Sequence, residues 1–496
     1  MVKSYSFSQN TLFLLIAYIF QKVLVFFYFI FLARYLGPTD FGVYSFVFSF
    51  LGMFSVFLDL GFGTVLIREI SKNKEKTKEY IETSLGFKII LSVVVASVII
   101  IVINLLGYQS VTRNLVYLSI LWIIFESLAG TIFAALRGWQ NLRYEAIGSI
   151  LNKGAYVSIG LLFILLKLPL IAFSVPLVVG GLLYLIYPLF VTKKFFKLGI
   201  ALNKKIICDF FKVSVSLIFG SIFATIFTAI NIILISYFSS DYSAGIFSAA
   251  FRIPMAILFL PSALGASIFP VFSSLVQKDR KRLMFIFEKS MFYMIFLSLP
   301  IIFASLVLGN KIISLMYGKE FIASTIPFNI IMSALLFLFL DFLFSSLLTA
   351  LDKQKQNAVL RAIGLAVNII LCFLLIPKYS YIGGAIAFTV GFTTFSIIQL
   401  ILIFKNFKVN FLPIIKKSIL VLVASSVMAL VLYILKDSLH LVINFFIGII
   451  VYFTSLYLIG GIKKDDLAEI KRLVKSSFRK EVKVSIEADF QETDKI

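Results

Sequence analysis

Apolar runs of about twenty residues, following one another with short polar connections between them, dominate this sequence. Crossing roughly 30 Å of hydrocarbon as an α-helix takes about 20 residues. In lipid the backbone must satisfy its own hydrogen bonds, and continuous helices achieve this within one segment. The runs therefore predict an all-α integral membrane protein. They fall near residues 11–33, 41–66, 84–106, 114–136, 146–166, 169–192, 210–237, 243–271, 287–309, 322–350, 357–376, 380–404, 411–435 and 440–460, which gives about fourteen transmembrane helices. With 60% hydrophobic and only 14% charged residues in 496, no soluble core could bury what the chain carries. The first run is long enough to span and lacks a small-residue cleavage site, so no cleavable signal is expected.

Lys and Arg total 46 against 24 Asp and Glu. An excess of this kind often marks nucleic-acid binding, but here the charges fall between apolar runs rather than along one soluble face, so no nucleic-acid partner is expected. Alternate connections collect them: "SKNKEKTKEY" at 71–80, "TKKFFKLG" at 192–199, "QKDRKR" at 277–282, "DKQKQ" at 352–356 and the tail after Lys463. The positive-inside rule then puts both termini in the cytoplasm of a cell-membrane protein. In the tail, Leu467, Ile470, Leu473, Val474 and Phe478 share a helical face opposite Lys and Arg. That pattern suits a basic amphipathic helix on membrane lipids, or a merely solvated one. Cys208 and Cys372 match no metal or redox spacing, and no metal site or cofactor is expected.

The turn-rich stretch "ARYLGPTDFGVYSF" at 33–46 has a fainter copy, "SYFSSDYSAGIFSA", at 236–249. Aligning them puts Gly42 on Gly245 and Ser45 on Ser248, a shift of 203. Further on, Ala135-Leu136 matches Ala350-Leu351, "AIG" at 146–148 matches 362–364, and Asn152 matches Asn368, at shifts of 215 or 216. The collinearity predicts two parallel six-helix lobes related by a pseudo-two-fold axis along the membrane normal. They comprise an N-lobe over 1–200 (helices 1–6) and a C-lobe over 201–408 (helices 7–12), followed by helices 13–14 over 409–462 and the tail over 463–496. Lobes so related enclose a cleft from which alternating access follows. In the turn, Pro38 would stop one helix and Gly42 would allow close approach at the start of the next.

A charge near the bilayer centre costs about 2.5–3.5 kcal/mol on insertion scales, so it normally faces water or a partner. Lys22, Asp59, Glu126, Arg252 and Asp341 lie well inside apolar runs and form the candidate central cavity. Lys22 and Arg252, near the starts of the two repeats, suit an anion, or alternatively an ion pair that fixes packing. Glu126 and Asp341, on matching helices, are expected to pair with those two cations when the cavity is empty. Lys88 is expected to snorkel to the cytoplasmic surface. Arg34, Arg68, Arg137, Arg143 and Arg361, near helix ends, would rim the cavity mouths or anchor helices at the interface.

"FLARYLGPTDFGVYSF" followed by "DLGFGTVLIREI" resembles the opening of Wzx-type polysaccharide flippases of the MOP superfamily, which also contains MurJ and the MATE exporters. The resemblance implies a MATE-like fold and movement of a polyprenyl-pyrophosphate oligosaccharide from the cytoplasmic to the outer leaflet, with polysaccharide-assembly proteins as candidate partners. The basic residue that MurJ-type proteins carry in mid-helix one falls on Lys22, and the Arg of their helix-eight "DR" falls on Arg252. Their Arg-Asp pair is Tyr28 and Phe29 here, which favours the polysaccharide branch over a peptidoglycan-precursor role. The residues also leave open a cation-coupled small-molecule exporter on the same fold and, further off, a membrane polymerase or ligase. Outer loops of a dozen residues at most argue against an enzyme. No Gly-rich nucleotide loop points to ATP as the direct driver, and no coupling ion is identified.

Overall fold

The computed structural model describes residues 7–195, 198–407 and 411–461. Its helices run α1 (Phe7–Asp59), α2 (Phe62–Lys72), α3 (Thr77–Leu105), α4 (Ser110–Gly138), α5 (Leu142–Leu165), α6 (Ser174–Thr192), α7 (Lys204–Phe238), α8 (Asp241–Ile257), α9 (Phe259–Leu275), α10 (Arg280–Tyr317), α11 (Thr325–Ser333), α12 (Leu335–Ala350), α13 (Gln354–Asn406), α14 (Phe411–Leu435) and α15 (Leu441–Leu458). No strand occurs among the described residues. The basic amphipathic tail expected over 463–496 lies outside them.

Among the described residues ten helical stretches are long and apolar enough to cross a membrane, one joining α1 with α2 and one α8 with α9, or eleven when the bent pair Lys319–Ser333 and Leu335–Ala350 counts as one span. The sequence pattern predicts fourteen. Part of the difference lies in α1 and α13. At 53 residues each and about 1.5 Å per residue, either would stretch roughly 80 Å if straight, far more than a bilayer needs. Each instead turns at one non-helical residue: Gly37 at φ 71° in α1 and Ser380 at φ 51° in α13. Gly37 adopts the left-handed region without strain, and Pro38 begins the helix that follows, where its missing N–H is no loss. The run from Leu161 to Val191 divides where its sequence suggests, with Lys167 at positive φ and Pro169 before a short 3-10 turn, Leu170–Phe173.

Side chains close several helix starts. Asn203 accepts from the Lys205 amide at 3.0 Å, Ser240 from that of Ser243 at 3.2 Å and Asp279 from that of Arg282 at 2.9 Å. Each satisfies an amide that the helix itself leaves unpaired. Phe and Tyr dominate the main interior cluster, with Tyr28, Phe41, Tyr44, Phe46, Phe50, Phe247 and Phe272 almost fully buried. Their exposed counterparts, such as Phe27, Phe31, Val93 and Ile101, form the apolar exterior that lipid would cover.

The two copies of the turn motif meet. A Cβ placed on Gly42 would sit 1.8 Å from the Asp241 carbonyl oxygen, and one on Gly245 would sit 1.9 Å from that of Pro38. Three residues on, Ser248 donates to Ser45 at 2.9 Å with both side chains buried. The positions that the repeat equates are therefore in contact with each other. Phe41 packs edge-on against Phe321 at 5.9 Å. Arg34 donates from Nε to the Met316 carbonyl at 2.7 Å and from Nη2 to that of Leu315. There the positive guanidinium meets the negative end of α10. These contacts join residues 17–192 to residues 222–406, and the junction is called the gate below.

Candidate substrate cavity and gate

Helix geometry decides what Lys22 faces. At 100° per residue, Tyr18, Lys22 and Phe29 project within about 40° of one another, while Phe27 and Phe31 point the opposite way. Phe27 and Phe31 belong to the exposed apolar exterior. Tyr18 donates to Glu145 at 3.1 Å, and the Phe29 ring carries the Arg252 guanidinium 3.4 Å above its centre. Lys22 thus sits on the inward face of α1 and is exposed there, with no hydrogen bond or ion pair to any described residue.

Arg252 lies one helical turn beyond Ser248, just beneath the gate. Besides Phe29 it stands 5.6 Å from the Phe41 centre, with the phenols of Tyr44, Tyr156 and Tyr317 in its electrostatic surroundings. Its Nε is buried without a hydrogen-bond partner, as are the hydroxyls of Tyr28 and Tyr317. Among the described residues no carboxylate pairs with it. Phe29, which stands where the resemblance expected an acid, supplies an aromatic face instead.

Among the described residues the interior charges Lys88, Glu126, Glu145 and Asp341 are each matched. Lys88, 2% exposed, bonds Asp59 at 2.9 Å. Glu126 accepts from Lys153 at 2.7 Å and from Asn152 at 2.9 Å. Arg137 grips both oxygens of Glu145. Five of these side chains, Asp59, Lys88, Glu126, Arg137 and Glu145, wall a cavity of about 330 Å³ within the first half, together with Tyr184. In the second half Arg361 reaches both oxygens of Asp341 at 2.9 and 2.8 Å and stacks on Phe395 at 4.9 Å. Gln399, Ser345 and Asn357 complete that network. It borders a smaller cavity of about 130 Å³ faced by Phe223, Phe227, Phe388 and Phe392.

Two expectations are corrected. Glu126 and Asp341 do not pair with Lys22 and Arg252, because Lys153 and Arg361, each on the next helix of its own half, are nearer and leave no carboxylate free. Lys88 does not snorkel. Its ammonium is drawn inward to Asp59 and the Ser127 carbonyl. The five mouth arginines are not one group. Arg34 fastens the gate and Arg68 pairs with neighbouring Glu69 at 3.0 Å. Arg143 donates to Tyr144 at 2.7 Å, while Arg137 and Arg361 lie inside the two halves. Lys22 and Arg252 share a face of the interior but do not touch. Lys153 and Glu145 escaped the sequence reading, although Lys153, inside the apolar run 146–166, met the criterion that selected Lys22.

Membrane-length helices, a closed gate between two halves and charges buried around interior cavities define a multi-pass membrane protein of transporter architecture. The solved structure of the lipid II flippase MurJ in an inward closed conformation superimposes with a TM-score of 0.74 over 90% of this chain and 98% of that one, at 18% identity. The chain therefore shares the fold of that structure. The sequence profile described as "Polysaccharide biosynthesis protein" matches residues 7–276, more than half of the chain, and the protein belongs to that family. Among curated relatives, the probable low-salt glycan biosynthesis flippase Agl15 of Haloferax volcanii is 24% identical over 477 residues, covering 94% of this chain and 99% of the relative. A putative O-antigen transporter of Shigella flexneri is 24% identical over 379 residues, covering 73% and 88%.

Proposed function

We propose that this protein is an alternating-access flippase that carries a polyprenyl-pyrophosphate-linked oligosaccharide from the cytoplasmic to the outer leaflet of the cell membrane. Two six-helix lobes, 1–200 and 201–408, rock about the gate, with helices 13–14 appended. The gate end faces outward and both termini are cytoplasmic. Lys22 and Arg252 hold the pyrophosphate while the prenyl tail stays in lipid.

One observation carries this reading. Beneath the closed gate sit a guanidinium nitrogen and a phenol, of Arg252 and Tyr317, with no partner, and a lysine on the same interior face is unpaired too. Unmatched donors in a dry site favour an anion, because a pyrophosphate would supply the acceptors the fold withholds. A cation-coupled exporter would instead favour unpaired carboxylates, whereas Asp59, Glu126, Glu145 and Asp341 are all held by cations. The family and the named relatives support a lipid-linked glycan as cargo.

The test is leaflet exchange of fluorescent prenyl-pyrophosphate oligosaccharides in vesicles reconstituted with the wild type, Lys22→Ala or Arg252→Ala. Either substitution should slow exchange at least tenfold. Equal rates in all three proteins would remove the anion site.

A further inference from the structure

The first-half cavity differs in kind from the Arg252 site. Three carboxylates, Asp59, Glu126 and Glu145, meet three cations, Lys88, Lys153 and Arg137, one to one. An anion entering there would have to displace a carboxylate, and a cation would have to displace an ammonium or guanidinium. Among the described residues no three acidic, His or Cys groups gather closely enough to hold a metal ion. The lining nevertheless exposes both acceptors and a donor. Asp59 keeps 55% of its side chain exposed, Glu126 29% and Arg137 37%, and Ser55, Thr64 and Tyr184 add hydroxyl groups to the lining.

We propose that this cavity is a sugar subsite, taking the first ring of the lipid-linked glycan. Vicinal hydroxyls donate to the exposed Asp59 or Glu126 carboxylate and accept from the Arg137 guanidinium in the same lining, since each hydroxyl does both. The volume of about 330 Å³ falls in the range of small-molecule sites. The spacing also fits. Along α1, Lys22 lies about 6 Å from Tyr18, which bonds Glu145 at the cavity, and about 10 Å from Phe29, which carries Arg252. A pyrophosphate between Lys22 and Arg252 that presents its sugar end to Lys22 puts the attached ring at the Tyr18 side. The assignment rests on the flippase reading for the identity of its ligand, but the chemistry of the cavity stands apart from the anion site.

The experiment introduces Ser127→Cys, on the cavity wall, together with Cys208→Ser, and follows modification of the new thiol by a small neutral methanethiolsulfonate. The probes are farnesyl pyrophosphate, farnesyl pyrophosphate esters of glucose, galactose, N-acetylglucosamine and N-acetylgalactosamine, and the corresponding free methyl glycosides at high millimolar concentration. At least one sugar-bearing probe should slow modification tenfold or more, while farnesyl pyrophosphate changes it by less than twofold. Adding Glu126→Gln should remove that protection and leave farnesyl pyrophosphate affinity within threefold, which also verifies the fold. No protection by any sugar, or protection by sodium chloride alone, overturns the subsite. Loss of farnesyl pyrophosphate binding in Arg252→Ala bears only on the anion site, and the methyl glycosides test the cavity whatever that result is.

Discussion

Replacing Phe29 with Leu should loosen the gate without altering any of its polar contacts. The Arg252 guanidinium carbon lies 3.4 Å above the Phe29 centre, from one half of the molecule to the other. A desolvated cation–π contact of this kind contributes about 2 kcal/mol. At about 1.4 kcal/mol per tenfold, its loss shifts the closed-to-open ratio of the gate by roughly thirtyfold. Ser45, fully buried against Ser248, reports that ratio. In a Ser45→Cys, Cys208→Ser background, modification by a thiol reagent proceeds only through the open state, so its rate should rise about thirtyfold with Phe29→Leu. Phe29→Tyr keeps the aromatic face and should leave the rate within about threefold. An unchanged rate in Phe29→Leu would show that the stacking is incidental and that the other contacts hold the gate. Thermal unfolding of the same variants separates gate opening from general loosening of the interior.

Gly42→Ala should prevent closure, because its Cβ would fall 1.8 Å from a main-chain oxygen. Overpacking of this kind costs about 1–3 kcal/mol or more. A Ser45→Cys, Ser248→Cys pair that cross-links under oxidant in the parent should then fail to do so, and undiminished cross-linking would contradict the argument. Asp59→Asn should destabilise more than Lys88→Met. The first leaves a cation only 2% exposed without a counter-charge, about 3 kcal/mol at the lower end of such losses, while the second leaves a carboxylate that is half exposed and can hydrate. Unfolding temperatures in detergent that rank the two the other way would refute this asymmetry.

The membrane-crossing character was legible because burial in lipid forces continuous apolar runs, and the contact between the two turn-rich stretches left a trace because it admits only small residues at 42, 45, 245 and 248. The turns at Gly37 and at Lys167 to Pro169 were likewise written in residues with restricted or unusual backbone preferences. The pairing of charges was not. A carboxylate in a run announces that it needs a partner, yet which cation it finds depends on helix rotation and on the next helix in space. Glu126 therefore met Lys153, and Asp341 met Arg361, rather than the conspicuous Lys22 and Arg252. Lys88 misled for a related reason: its position near a helix start suggests an escape to the surface, while the carboxylate that holds it sits 29 residues earlier at the end of α1. Phe29 reads as ordinary filler until the fold sets an arginine over it.

The Gly42–Gly245 and Ser45–Ser248 contacts bind the two halves in a further sense. A bulkier residue at 42 would strike the main chain at Asp241, and one at 245 the main chain at Pro38, so no trimming of a neighbouring side chain could absorb either change. Neither half is free to drift alone at these sites.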